Sequence, residues 1–87
     1  MRYIRKTDAI SGRLQDELVI MDMDKGKYFA FNPVATRIWD ILEKPITIDD
    51  LCKLLMDEYK VEEEQCRNEV TEVINELVKL GVVLKHE

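Results

Sequence analysis

The dipeptide Asn32-Pro33 divides this 87-residue chain more sharply than any other feature. An Asn side chain can accept from the free N–H groups of a first helical turn, and Pro fits the first helical position because it has no N–H to lose. After it, Val34, Ala35, Ile38, Trp39, Ile41 and Leu42 recur at the three-to-four spacing of one helix face. Before it, apolar residues come in short blocks rich in strand formers. The chain is therefore extended at one end and helical at the other, which predicts an α+β fold in one domain spanning residues 1–87.

The extended half contains one clear hairpin. Glu17 to Met23 forms one strand and Lys27 to Phe31 the next. Asp24-Lys25-Gly26 between them suits a tight turn in which Gly26 takes a positive φ. Both strands are nearly apolar on both faces. One face covers the helices, and the other needs the first strand, another chain or a ligand. Arg2-Tyr3-Ile4-Arg5-Lys6 reads as a short edge strand, which could cover the hairpin, or as an ordered arm, and Ser11-Gly12 as a turn.

The helical half continues to the end. Lys44-Pro45 stops the first helix, and Thr47 with Asp50 three residues on resembles a capping box. The second helix puts Ile48, Leu51, Cys52, Leu55 and Tyr59 on one face. The third starts in Glu62-Glu63-Glu64, where acidic groups suit the positive end of the helix dipole. It runs through Cys66, Val70, Val73, Ile74, Leu77 and Leu80 to a terminating Gly81. Val82-Val83-Leu84 forms an extended tail. Three short antiparallel strands followed by three helices is a winged helix-turn-helix-like order.

Charge excludes several roles. Residues 1–27 carry six basic and five acidic groups, residues 28–60 four and six, and residues 61–87 three and seven. The third helix would meet a phosphate backbone with Arg67 and Lys79 against six glutamates, so nucleic acid is a poor partner. A DNA-binding regulator is the alternative that element order alone permits, together with a weak homodimer through an unpaired strand edge. The apolar runs are too short for a bilayer and no signal peptide is seen, so the expected location is the cytoplasm, with no membrane partner. Cys52 and Cys66 stand alone and the sole His is His86, which leaves no metal set, no cofactor site and no nucleophile beside a base. The cysteines read as small core residues, and no enzymatic activity is expected.

The run Gly26 to Leu42 resembles the PqqD-like family, named after the pyrroloquinoline-quinone synthesis protein D. That family has an aromatic residue on a strand, then Asn-Pro or Asn-x, then a helix with a small residue, Ile-Trp and Leu. Tyr28, Asn32-Pro33, Ala35, Ile38-Trp39 and Leu42 stand in those places. Thr47-Ile48-Asp49-Asp50-Leu51 is similar to the family's second-helix start, and Leu77 to Leu84 to its ending. The resemblance covers about residues 15–84.

It implies a recognition element that binds the leader of a ribosomally made precursor peptide and presents it to a modifying enzyme or leader protease. Lasso-peptide biosynthesis is favoured over quinone-cofactor synthesis because the chain is short and separate. The leader would add a strand to the third strand and lie beside the third helix. The residues implied are Lys27, Tyr28, Phe29, Ala30 and Phe31 with Val70, Val73, Ile74 and Leu77. Strand alternation sends Tyr28 and Ala30 one way and Lys27, Phe29 and Phe31 the other. Glu69, Glu72 and Glu76 are candidates for steering a basic leader.

Overall fold

A computed structural model describes residues 1–6, 11–15, 17–22 and 25–86. The elements in chain order are β1 (Arg2–Arg5), β2 (Ser11–Leu14), β3 (Glu17–Asp22), β4 (Lys27–Ala30), α1 (Pro33–Ile41), α2 (Ile48–Glu58), α3 (Glu63–Lys79) and β5 (Val83–His86). Among the described residues the strands form two antiparallel sheets, one of order β2-β3-β4 and one pairing β1 with β5.

The helix boundaries follow the local chemistry. The Asn32 side chain accepts from the Ala35 N–H at 2.8 Å, and Pro33 opens α1. Thr47 does the same for the Asp50 N–H at 3.1 Å at the start of α2. At the end of α3 the Gly81 N–H donates to the Val78 carbonyl and the Val82 N–H to the Leu77 carbonyl, with Gly81 at φ +77°. This pair of bonds around a left-handed glycine turns the chain sharply and sends β5 back along α3. Gly26, at φ +63°, turns the β3–β4 hairpin; Met23 and Asp24, expected at the strand end and turn, lie outside the described residues.

The strand arrangement corrects three expectations. There are five described strands instead of three, and one follows the helices. The N-terminal strand does not cover the hairpin: it pairs with β5, with Ile4 opposite Leu84, and bridges to Ile46 through Tyr3. Arg5 explains part of this choice. Its guanidinium lies 5.5 Å from the centre of the Trp39 ring and donates to the Trp39 carbonyl, so β1 is held at the end of α1. Ser11-Gly12 lies in β2 and not in a turn, because the apolar β3 offers it a full ladder, with Gly12 opposite Val19.

One face of the large sheet closes on the helices. Leu18 and Ile20 of β3, with Phe31, meet Ala35, Ile38 and Trp39 of α1. Leu42, Leu51, Cys52, Leu55, Cys66, Val70, Ile74, Leu77 and Val83 complete the core. Thr36 is the buried polar residue among those described, and its hydroxyl accepts the Leu18 N–H at 2.9 Å and donates to the Phe31 carbonyl at 3.4 Å. That hydroxyl fixes β3 against the start of α1. Outside, Arg37 of α1 makes a bidentate pair with Glu58 of α2, and Arg13 of β2 pairs with Asp40 of α1.

Candidate functional site

β4 has an edge unused by any described strand, and it lies beside α3. It pairs with β3 through Val19–Ala30, Ile20–Phe29, Met21–Tyr28 and Asp22–Lys27, and on its other side it has no strand partner among the described residues. The Phe31 N–H donates to the Leu18 carbonyl at 2.9 Å, so Phe31 and, two residues back, Phe29 face β3 with their backbone groups. The intervening residues, Tyr28 and Ala30, then direct N–H and C=O to the open edge. An extended segment can pair with these groups without disturbing the existing ladder.

The space beside that edge is a groove of about 400 Å³ between β4 and the last turns of α3. Tyr28, Phe29, Ala30 and Phe31 line one side, and Glu76, Lys79 and Leu80 the other. The Schellman turn at Gly81 ends α3 there and leaves Leu80 half-buried against the core beneath. Glu76 and Lys79 are exposed, so the groove is apolar at its base with one charge of each sign on its helical wall.

The residues named from sequence divide into two groups. Lys27, Tyr28, Phe29 and Ala30 lie on β4, with Tyr28 68% exposed and Phe29 half-buried, and Phe31 follows directly. Val70, Ile74 and Leu77 are 1%, 0% and 0% exposed and are packed into the core, as is Phe31 at 8%. Val73 is half-buried against that core. The helical wall of the groove consists of Glu76, named from sequence as a candidate for steering the leader, with Lys79 and Leu80, which were not among the expected site residues. A signal for Leu80 was available: Val73, Glu76 and Leu80 form a helical stripe one residue beside the buried Val70–Ile74–Leu77 stripe. Glu69 lies instead on a small crevice of about 70 Å³ between Tyr59, Val61 and Cys66.

Nucleophilic chemistry has little support. Cys52 and Cys66 are both free and buried, and the Cys66 thiol lies 3.9 Å from the Cys52 carbonyl. Burial, reinforced by the adjacent Cys66 thiol, pushes Cys52 up to about 11, so it holds its proton at neutral pH. Among the described residues no three His, Cys, Asp or Glu side chains gather where a metal could bind. No described helix is long and apolar enough to cross a membrane.

Comparison with known proteins places this fold. Two solved structures are similar over nearly the whole chain. One is TbiB1 in complex with the TbiA(beta) leader peptide, with a TM-score of 0.79 and 20% identity, covering 97% of this chain and 98% of that one. The other is a lasso peptide synthetase B1 complexed with the leader peptide, with a TM-score of 0.81 and 20% identity, covering 98% and 100%. At this identity the likeness shows a shared fold. A search of curated proteins returns no sequence match. The family described as coenzyme PQQ synthesis protein D (PqqD) matches residues 17–83, from the start of β3 to the start of β5, and the chain belongs to that family.

Proposed function

We propose that this chain is a non-catalytic leader-peptide recognition domain of a lasso-peptide pathway, acting in the cytoplasm. It captures the leader of a ribosomally made precursor and presents it to a processing enzyme. The observation that carries this reading is the open edge of β4, with the backbone groups of Tyr28 and Ala30 unpaired by any described strand, directly above a groove closed by α3. An added strand takes affinity from main-chain bonds, which accept many sequences, and specificity from the side-chain pocket. The pocket here has an aromatic base from Phe29 and Phe31, an aliphatic cap from Leu80, and Glu76 and Lys79 at its rim. A leader segment with an apolar residue aimed at α3 fits that lining. The family membership and two similar structures that hold leader peptides support the same reading. The charge on α2 and α3 suits a peptide and repels DNA, which disfavours a DNA-binding role.

Amide exchange followed by NMR tests the placement. On adding a synthetic lasso-precursor leader peptide, the Tyr28 and Ala30 amides should gain protection while the Phe29 amide, already bonded to β3, changes little. Protection confined to the β2 edge, or to neither edge, would contradict it.

A further inference from the structure

The β2-β3-β4 sheet has a second face, turned away from the helices. Gly12 lies opposite Val19, and Val19 opposite Ala30, so one row of small or half-buried side chains crosses all three strands. Leu14 stands on one side of this row, and the cross-strand pair Met21 and Tyr28 on the other. The result is a trough of about 540 Å³ that runs across the strands as far as Ala30. Leu14 and Tyr28, its walls, are 69% and 68% exposed. A Cβ at Gly12 would meet nothing within 4 Å, so the floor is open space and not a packed backbone contact. The one charged side chain on its lining, Arg13, has its guanidinium engaged with Asp40. An apolar face that no described residue covers is what a protein partner covers.

We infer that this trough is the docking surface for the enzyme that acts on the captured precursor, which would seat an apolar ridge, one side chain wide, across the strands. The inference rests on the capture reading above. Two features favour such a partner over a second copy of this chain. Three strands at ~4.8 Å spacing and four residues at ~3.4 Å make a face roughly 14 Å on a side, or on the order of 200 Å². A stable dimer buries about 800 Å² per partner, so this face alone is too small to hold two copies together. A small face suffices for an enzyme whose active site also holds the far end of the same peptide, because the shared leader raises the effective concentration to roughly millimolar. The trough is also continuous with the capture edge, since Tyr28 and Ala30 line both. A leader strand added to β4 widens this face by one strand, so the loaded domain offers the enzyme a larger surface than the empty one.

The test uses the full chain, the synthetic leader and a catalytically inactive form of the leader-processing protease of the same pathway. Gly12→Leu fills the trough floor and Leu14→Glu charges its wall, and neither residue lines the leader groove. Enzyme binding to the loaded and empty domain is read by biolayer interferometry, leader binding by anisotropy, and self-association by sedimentation. Both variants should weaken enzyme binding roughly tenfold or more, with leader affinity held within about twofold and circular dichroism unchanged. Enzyme affinity that ignores both substitutions overturns the inference. Self-association of the wild-type chain that Gly12→Leu abolishes overturns it too, in favour of a second copy. Enzyme binding that depends on Gly12 in a domain that fails to bind leader removes the capture reading and leaves the docking face standing.

Discussion

Leu77 and Tyr28 show how one apolar residue serves stability and another serves an exposed surface. Leu77 is fully buried in the last turn of α3, whereas Tyr28 projects from β4 with most of its surface exposed. Leu77→Ala should therefore cost about 2–5 kcal/mol through lost burial and a residual cavity. Tyr28→Ala should stay within about 0.5 kcal/mol of wild type. Urea denaturation of the two variants checks this, and comparable losses would mean that Tyr28 is packed in solution. The same contrast explains what was legible at this scale. Helical spacing correctly marked Val70, Ile74 and Leu77 as an inward stripe, but spacing cannot say whether an inward residue faces core or groove. Burial places these three in the core, and the groove wall passes to Glu76, Lys79 and Leu80, whose polar members no apolar pattern selects.

The helices were readable as elements because their ends carry local signals. Asn32-Pro33, Thr47 and Gly81 each act within a few residues, and each makes the capping bonds its residue type predicts. The strand partners were not readable in the same way. β1 and β5 lie at opposite ends of the sequence and meet only because Gly81 reverses the chain and Arg5 seats on Trp39. Packing between α2 and α3 carries a pH signature of its own. Cys52 of α2 lies beside Cys66 of α3, and burial raises its thiol from an ordinary 9.0 to about 11. As pH rises the unfolded chain loses that proton first, so the stabilisation is whole below about 9 and is lost between about 9 and about 11. The full loss is on the order of 2–3 kcal/mol. Denaturation midpoints at pH 8 and pH 10.5 should separate more for wild type than for Cys52→Ala, which removes this group and leaves the other alkaline titrations in place. Parallel shifts would show that the thiol is not held in a dry site.

At the scale of the molecule, the β4 edge, the α3 groove and the outer trough meet along one strand. The aromatic strand running through Asn-Pro into a helix was visible as sequence, and so was the need for something to cover an apolar hairpin. The open edge falls on the Lys27–Phe31 strand as expected, but for a reason the sequence did not show: β2 takes the far side of β3, and β1 leaves the sheet altogether. The measurement that reaches the central claim most directly is an anisotropy titration of the labelled leader against wild type and Ala30→Pro. Proline at this position removes an N–H that faces the open edge and takes no part in the ladder to β3, so the hairpin should keep its fold. Binding weakened roughly tenfold or more, with an unchanged circular dichroism spectrum, is the result that strand addition at β4 predicts. An unchanged Kd in a folded Ala30→Pro variant would contradict it, because a strand paired to β4 cannot lose that bond without cost.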